Sequence, residues 1–256
     1  MAGFNTKIQE SIKRHKGKIH PIDEIGYKLK GYLFAEKNNV RHAEIFKIYE
    51  QIEEVNWEEL PGEFVIKPQQ GCSESGVLPL IKTKEGYINI LKNIDMTRGE
   101  AIKYYKEGIT GNHSHSRELW IEELLSNPLP YDWKIHTFNG KIGMVEQFKR
   151  DAENKYHKYW DKEWQPIKNM CKKIFTYKIN NSLPPPEHPR ELLKTAEILS
   201  KAIRHPYVRI DLYDTAKGVF IGEITPHPGR TCIYVDYWES HLGEMWERAE
   251  EELKNE

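Results

Sequence analysis

The stretch "VRIDLYDTAKGVFIGEITPHPGR", which covers residues 208–230, places the acidic residues Asp211 and Glu223 among Val, Ile, Leu and Phe. The stretch predicts two strands joined by a tight turn, with Asp211 on the first strand and Glu223 on the second. If the strands pair, the alternation of side chains can place both carboxylates on one face of the sheet. Two carboxylates that close repel each other unless a cation or a shared proton lies between them. Since Mg²⁺ takes oxygen ligands, the hairpin is a candidate metal site.

Neighbouring residues of the hairpin extend this candidate site. Thr225 follows Glu223 by two residues, falls on the same face and offers a further oxygen ligand, and Arg209 precedes Asp211 by two residues. The residues alone are equally consistent with salt bridges on an exposed sheet face. His227 follows the carboxylates and is a candidate for contact with a substrate.

A loop of small and polar residues, "QQGCSESG", follows a predicted strand that ends on Lys67. Glycines let a backbone wrap closely around a ligand, and successive N–H groups can face phosphate oxygens. The lysine would add a positive point charge. The loop lacks the GxxxxGK[ST] spacing of a P-loop. By itself, the pattern favours an ordinary hairpin loop over a phosphate site.

The histidine pair and the cysteines offer weaker signals. His113 and His115 are separated by one serine, and because no third ligand stands at a suitable spacing, a polar loop is expected rather than a zinc site. Cys72, Cys171 and Cys232 are widely spaced and odd in number. This spacing predicts reduced thiols and no disulfide framework.

The charges of the chain are nearly balanced. Among 256 residues, 38 are basic and 39 are acidic, so the formal net charge is −1. No overall field therefore favours nucleic acid or an anionic membrane. The N-terminus lacks the apolar segment of a secretory signal, and no apolar run is long enough to span a bilayer. We expect a cytoplasmic protein with no nucleic-acid partner and no membrane span.

The pattern of apolar residues predicts a mixture of helices and antiparallel strands. Helices are predicted over residues 5–15, 38–55, 85–94, 98–109, 189–203 and 239–256. Strands are predicted over 64–67, 77–83 and 118–125, although the glutamates of 118–125 also allow a helix there. Two hairpins are predicted over 131–150 and 208–225, the first around an Asn-Gly turn. Such a mixture is typical of the α+β class.

Five segments in order resemble the ATP-grasp superfamily, and more narrowly its TupA-like branch, typified by a teichuronopeptide-biosynthesis protein. They read "EKNNVRHAEIFK", "LPGEFVIKPQQGCSESGV", "LWIEELL", "YDWKIHTFNGKIGMVEQFKR" and "VRIDLYDTAKGVFIGEITPHPG". The resemblance implies an α+β ATP-grasp fold, in which two α+β subdomains with antiparallel sheets clasp ATP. It implies a helical extension over 1–33, a small lid subdomain over 34–115 and a large subdomain with the metal site over 116–256.

The start of the chain departs from the pattern of larger relatives. The residues before the first lysine motif are too few for a full N-terminal domain of the kind that precedes the ATP-grasp fold in those relatives. The substrate side is therefore expected either to be shaped differently or to be completed by a second subunit in a homodimer.

The resemblance also assigns roles to individual residues. ATP contacts are implied for the phosphate lysines Lys37 and Lys67, the lid residues Gln70, Gly71, Ser73, Ser75 and Gly76, and the adenine hinge residues Glu122, Glu123, Leu124 and Leu125. One or two Mg²⁺ ions, with Mn²⁺ as a substitute, are implied at Asp211, Glu223 and Thr225, where Thr225 replaces the asparagine of many relatives. The implied catalytic residues are Lys134, Arg209 and Arg230, and guanidinium groups suit a carboxylate or an acyl phosphate.

The function implied by the resemblance is that of an ATP-dependent carboxylate–amine ligase. It would form an amide through an acyl phosphate, attaching an amino acid to a cell-surface polysaccharide or to a peptide-like acceptor. Its partners would be ATP and small-molecule, glycan or peptide substrates that carry the carboxylate and the amine. Two alternatives stay open: an ATP-grasp kinase acting on a small-molecule or sugar hydroxyl, and a non-catalytic nucleotide-binding module. The paired acids and the lysines weigh against the module, because adenine binding alone needs neither.

Overall fold

The chain forms two compact units. The first contains Met1–His42, Tyr131–Arg150 and Asn154–Glu256, and the second contains Ala43–Pro130. The computed structural model describes residues 2–16, 21–69, 74–110, 117–150, 154–175 and 177–256. Within these ranges, no helix combines the length and the apolar character needed to cross a bilayer.

The helices and strands of the described residues are numbered along the chain. The helices are α1 (Phe4–His15), α2 (Pro21–Ile25), α3 (Lys28–Lys37), α4 (Arg98–Thr110), α5 (Pro189–Ile203) and α6 (Asp236–Asn255). The strands are β1 (Ile45–Tyr49), β2 (Glu63–Pro68), β3 (Leu78–Lys82), β4 (Tyr87–Asn89), β5 (Ile94–Met96), β6 (Leu119–Glu122), β7 (Asp132–Phe138), β8 (Lys141–Arg150), β9 (Lys155–Trp160), β10 (Cys171–Ile174), β11 (Lys178–Ile179), β12 (Val208–Thr215), β13 (Gly218–Thr225) and β14 (Cys232–Tyr234).

The boundaries of the observed units differ from the boundaries of the predicted subdomains. Residues 34–42 belong to the first unit, and residues 116–130 belong to the second. Packing accounts for the first difference, because α3 lies against β13 and His42 forms a β-bridge with Ile221 of β13. The functional roles given to the predicted subdomains stay predictions.

The second unit is built on an antiparallel sheet with the strand order β1-β6-β2-β3-β4-β5 among the described residues. Alternation along β2 sends Phe64 and Ile66 into an apolar core, to which α4 contributes Ala101 and Tyr105. Lys67 therefore points to the other face of the sheet. One face carries the core and the opposite face is left for polar groups.

Two helices predicted in this unit are wrong. Residues 38–55 form β1 and a short 3₁₀ helix, Ile52–Glu54, because the run "IFKIY" pairs with β6 and this pairing outweighs weak helical spacing. Residues 85–94 form a small hairpin of β4 and β5 instead. Gly86 lies in the preceding turn, between β3 and β4, with φ 155°, and a Cβ there would lie 2.5 Å from the carbonyl oxygen of Met96, so that turn needs glycine.

The first unit contains a sheet with the order β11-β9-β8-β7-β12-β13 among its described residues. All its pairs are antiparallel except the edge pair of β11 with β9. Both predicted hairpins are confirmed, and the turn of the first contains Asn139 and Gly140 at φ 45° and 85°. The predicted helices α1, α5 and α6 are confirmed as well.

The helices of the first unit enclose an aromatic core at one end of this sheet. Phe4 of α1 and Trp246 of α6 pack with Phe138, Tyr207 and Tyr234. Large aromatic side chains bury the most apolar surface for each residue, so these contacts attach both helices firmly to the sheet.

The expectation that all cysteines are reduced is wrong for one pair. Cys171 of β10 and Cys232 of β14 form a disulfide, with their Cα atoms 6.0 Å apart. The two residues are 61 positions apart in sequence, and the pairing of two short strands brings them together. Spacing along the chain could not show this, because the pairing is a tertiary contact. The predicted loop with His113 and His115, like Cys72, lies outside the described residues.

Candidate active site

The two carboxylates of the hairpin are neighbours on adjacent strands of the first unit's sheet. Asp211 of β12 stands directly opposite Glu223 of β13, and Arg209 stands opposite Thr225. Because side chains alternate along a strand, these four residues lie on the same face. The register therefore brings together three predicted metal ligands and one predicted catalytic residue.

A β-bulge at Gly222 sets the direction of Glu223. Asp211 pairs with Glu223, whereas the next residue, Leu212, pairs with Ile221, so Gly222 is the extra residue. A Cβ on Gly222 would lie 2.9 Å from the ring of Tyr213, which leaves no room for a larger residue. Bulges bend a strand and re-aim neighbouring side chains, and they are frequent next to active sites.

Two cations hold the carboxylate of Asp211. Arg209 donates from Nε to Oδ1 at 2.6 Å and from Nη2 to Oδ2 at 2.8 Å, while Lys134 of β7 donates to Oδ2 at 2.5 Å. Burial alone would raise the pKa of Asp211, but these cations outweigh it and keep that pKa below its ordinary value. Arg209 also donates to Thr225 Oγ1 at 3.2 Å. Lys134, Arg209, Asp211 and Thr225 are thus connected, and with Glu223 opposite Asp211 they form one polar group, the carboxylate cluster.

Further charged residues extend this cluster along β7 and β8, and the sequence did not single them out. Asp132 lies 2.8 Å from Lys134 Nζ and accepts a hydrogen bond from Arg150 at 3.3 Å. Glu146 pairs with Lys134 across the strands. The signal was present in "DWKIH", where alternate polar residues stand on one face of a predicted strand.

Glu146 is buried between two histidines. Its oxygens lie 3.5 Å from His136 Nε2 and 3.7 Å from His157 Nε2, and Tyr234 donates a hydrogen bond at 3.2 Å. Burial would raise the pKa of Glu146, but the charge of His136 and then that of His157 lower it to about 2. Burial lowers the pKa of His157 to about 4. Glu146 is thus a fixed negative charge inside the unit.

The second unit contains a separate ion pair on the polar face of its sheet. Lys67 Nζ lies 2.5 Å from Glu122 Oε1, and Trp120 Nε1 donates to Glu122 Oε2 at 2.7 Å. The predicted hinge continues beyond β6 as an extended segment in which the N–H of Glu123 donates to the carbonyl of Glu44 at 2.8 Å. Leu124 is buried and Leu125 is half-buried in that segment.

The end of the predicted lid is described, but most of the lid is not. Ser75 and Gly76 form a turn before β3, and Gly108 of α4 packs so tightly there that a Cβ would lie 2.2 Å from the backbone nitrogen of Gly76. The close approach fixes the C-terminal end of the loop. Gln70, Gly71 and Ser73 lie outside the described residues.

Two predicted residues of the first unit are exposed, whereas Asp211, Lys134 and Arg209 are buried. Lys37 is exposed at the end of α3, and Arg230 is exposed in the segment after β13. The structure thus brings Lys134, Arg209 and the three predicted metal ligands together, and it places Lys67 with the hinge acid in the second unit.

The donors of the carboxylate cluster fit a hard divalent cation. Asp211, Glu223 and Thr225 offer only oxygen atoms, which Mg²⁺ prefers. Burial raises the pKa of Glu223, and the nearby charge of Asp211 raises it further. A bound cation would offset the repulsion between the two carboxylates. These residues would hold the ion in the Mg²⁺-dependent chemistry that is typical of the ATP-grasp fold.

Two solved ligases have folds similar to this chain. D-alanine–D-alanine ligase from Bacillus anthracis complexed with ATP aligns with a TM-score of 0.57 at 16% identity, covering 97% of this chain and 75% of that chain. L-amino acid ligase from Bacillus licheniformis aligns with a TM-score of 0.51 at 11% identity, covering 86% of this chain and 48% of that chain. At such identities the likeness shows the fold, which is the α+β ATP-grasp fold predicted from the sequence. None of the curated proteins matches this sequence significantly.

The sequence profile of the family described as TupA-like ATPgrasp matches residues 9–246. The chain therefore belongs to the TupA-like ATP-grasp family, as the ordered motifs predicted. Membership places it among the ATP-dependent ligases of the carboxylate–amine type.

Proposed function

We propose that this ATP-dependent ligase joins an amino acid to a cell-surface polysaccharide or peptide-like acceptor through an amide bond. The observation that carries the proposal is the pairing of Asp211 with Glu223 next to two buried cations, Lys134 and Arg209. Such a cluster suits the transfer of a phosphoryl group between anions, because repulsion between substrate carboxylate and triphosphate is the main obstacle.

The reaction has two balanced steps. A carboxylate oxygen attacks the γ-phosphorus of ATP, the bond from that phosphorus to the bridging oxygen of the β-phosphate breaks, and ADP leaves. The amine nitrogen then attacks the acyl carbon, the bond from that carbon to the phosphate oxygen breaks, and inorganic phosphate leaves. The amine gives up one proton in forming the amide. Energy from ATP thus replaces a poor leaving group by phosphate.

The residues of the carboxylate cluster have distinct roles in this proposal. Arg209 and Lys134 hold Asp211 in one orientation and supply positive charge close to the reacting anions. Mg²⁺ held by Asp211, Glu223 and Thr225 would neutralise phosphate charge. The number of ions is proposed to be one or two, with Mn²⁺ able to substitute.

The residues of the second unit and the exposed cations complete the proposal. Lys67 and the lid residues up to Gly76 bind the phosphates, and the hinge from Glu122 to Leu125 meets adenine. Lys37 adds to the phosphate contacts and Arg230 binds the substrate carboxylate or the acyl phosphate. We further propose a cytoplasmic location and a homodimer whose second subunit completes the substrate side.

The test is a product assay with purified protein, ATP, Mg²⁺ and pools of amino acids and uronic acids. We expect phosphate release that depends on one carboxylate and one amine, with a matching amide found by mass spectrometry. Phosphorylated substrate with ADP but no free phosphate would contradict ligation and indicate a kinase. No substrate-dependent ATP turnover with any pool would count against both.

The metal assignment has its own variants. Glu223→Gln is expected to lower turnover by about 100-fold or more while the protein keeps its fold, because it removes a charge that is aimed at the ion. Asp211→Asn removes activity too, but it also removes the counter-ion of Arg209 and one of the two acidic partners of Lys134, and so lowers stability. Full turnover in a folded Glu223→Gln variant would overturn the metal assignment.

A further inference from the structure

Three side chains with metal-binding chemistry converge in the first unit, outside the carboxylate cluster. His15 ends α1, Asp23 lies in α2, and His227 follows β13. His15 Nδ1 lies 3.6 Å from Asp23 Oδ2, and His227 Nδ1 lies 3.6 Å from Asp23 Oδ1. One ligand atom from each residue lies within 4.8 Å of those of the other two. Three separate segments therefore place two imidazole nitrogens around one carboxylate.

The separations are close to those that a metal ion requires. A tetrahedral ion with bonds of about 2.0–2.2 Å keeps its ligand atoms roughly 3.3–3.6 Å apart. Each Nδ1 lies 3.6 Å from an oxygen of Asp23, which is near this value, although the two rings face different oxygens of the carboxylate. The ring centroids of His15 and His227 are 5.3 Å apart. Small rotations of these side chains would bring their Nδ1 atoms to the separation that one ion requires.

The histidine after β13 is oriented by a neighbouring hydroxyl. Ser11 of α1 is buried, and its Oγ lies 3.1 Å from His227 Nε2. With Nε2–H donating to this oxygen, the lone pair of Nδ1 faces Asp23 and His15. A hydrogen bond to the second nitrogen is what usually orients a metal-binding histidine. The side chains of His15 and His227 are only 14% and 19% exposed, so the packing around them limits their rotation.

We propose that His15, Asp23 and His227 form a binding site for a divalent transition-metal ion of the Zn²⁺ type. Two imidazoles and one carboxylate suit Zn²⁺ and related ions, whereas Mg²⁺ prefers sites made of oxygen atoms only. The site is therefore distinct in chemistry from the carboxylate cluster. Three protein ligands leave a fourth position for water or for a donor atom of a substrate.

The location of this site suggests what the ion does. Pro226 separates His227 from Thr225, and it packs beside Gly26, where a Cβ would lie 3.3 Å from the ring of Pro226. An ion bound by His15, Asp23 and His227 would join the N-terminal helices to the end of the strand that carries Glu223 and Thr225. The inference concerns metal binding and does not depend on the proposed ligation.

The experiment is zinc titration of the full, untagged chain in excess Mg²⁺, followed by calorimetry, with Co²⁺ absorption as a second readout. We expect a single Zn²⁺ per chain and the visible bands of tetrahedral Co²⁺. His15→Asn, Asp23→Asn and His227→Asn are each expected to weaken binding by more than about 100-fold, and Ser11→Ala by roughly 10- to 100-fold.

Two matched variants control for other ligands. The His113→Asn/His115→Asn double variant removes two histidines that are close together in sequence but are not part of the proposed site. Glu223→Gln alters the carboxylate cluster. Both are expected to keep the zinc affinity and the Co²⁺ spectrum of the native protein. Circular dichroism confirms that every variant is folded. Asp23 is 35% exposed, so Asp23→Asn is the ligand variant least able to disturb folding.

Three outcomes would overturn the proposal. The first is a folded His15→Asn/His227→Asn variant that keeps native affinity. The second is loss of zinc binding in the His113→Asn/His115→Asn control. The third is a native protein that shows no Zn²⁺ binding in excess Mg²⁺.

Discussion

Lys67 Nζ lies 2.5 Å from Glu122 Oε1, and both side chains are nearly buried in the second unit. The other oxygen of Glu122 accepts a hydrogen bond from Trp120 Nε1. The carboxylate therefore has partners at both oxygens and holds the ammonium group of Lys67 at one position. A fixed ammonium can meet a phosphate oxygen without first being ordered, which is the advantage of preorganisation.

Replacing only Lys67 should lower the stability of the protein more than replacing both Lys67 and Glu122. Lys67→Met removes the ammonium group that lies 2.5 Å from the buried Glu122 carboxylate, so we expect a loss of about 3–5 kcal/mol in the free energy of unfolding. The Lys67→Met/Glu122→Gln variant should recover most of that loss. Urea unfolding of both variants measures it. Equal stability of the single and the double variant would contradict the argument.

The same variants separate folding from nucleotide binding. If Lys67 contacts phosphate, ATP affinity should stay low in the double variant although its stability is restored. Glu122→Gln alone retains the lysine and should bind ATP more tightly than the double variant does. Native ATP affinity in a folded Lys67→Met/Glu122→Gln variant would remove Lys67 from the nucleotide site.

A methyl group at position 108 should disturb the end of the lid. A Cβ there would lie 2.2 Å from the nitrogen of Gly76, which is a backbone atom and cannot rotate away. We expect Gly108→Ala to cost about 1–3 kcal/mol and to weaken ATP binding. Gly62→Ala is the matched control, because a Cβ at Gly62 meets nothing within 4 Å. Equal melting temperatures for the two variants would show that the close contact is not maintained in solution.

The disulfide should contribute to the stability of the oxidised protein. Cys171 and Cys232 close a loop of 61 residues in sequence, which restricts the unfolded chain. We expect Cys171→Ser/Cys232→Ser to lower the free energy of unfolding by roughly 2–4 kcal/mol. Reductant should lower the stability of the native protein and leave the double variant unchanged. Cys72→Ser should behave like the native protein, and a response to reductant in the double variant would contradict this assignment.

One histidine should make stability depend on pH. Asp214 accepts hydrogen bonds from the backbone N–H groups of Glu187 and His188 and contacts His188 Nδ1 at 2.7 Å, just before α5 begins. The hydrogen bond to Asp214 is the main cause that raises the pKa of His188 above its ordinary value. This stabilisation is fully present below the ordinary histidine pKa of about 6.5 and is lost as pH rises through the raised pKa.

The corresponding variant is His188→Gln. Its melting temperature should fall below that of the native protein at about pH 5, and the difference should shrink toward about pH 9, because neutral histidine loses its advantage over glutamine. Thermal unfolding of both proteins across this range measures the difference. A difference that stays constant or grows with rising pH would contradict the role of the charged ring.

Elements with strong local signals were predicted correctly from the sequence. The hairpin of β7 and β8 has alternating polar and apolar residues around an Asn-Gly turn, and α5 begins with Pro189. Where local signals were weak, pairing decided. The run "IFKIY" became β1 because β6 offered it a partner, which no window of sequence contains.

The sequence by itself determined the family, the antiparallel hairpins and the presence of two acids at strand positions that can share a face. Only the tertiary structure decided what surrounds those acids. Lys134 meets Asp211 across 77 residues of sequence because β7 and β12 pair in one particular register. The disulfide and the histidine–aspartate cluster at His15, Asp23 and His227 likewise join distant segments. Alternation and turn residues are local properties, whereas register and packing depend on the whole fold, and these place charges next to each other.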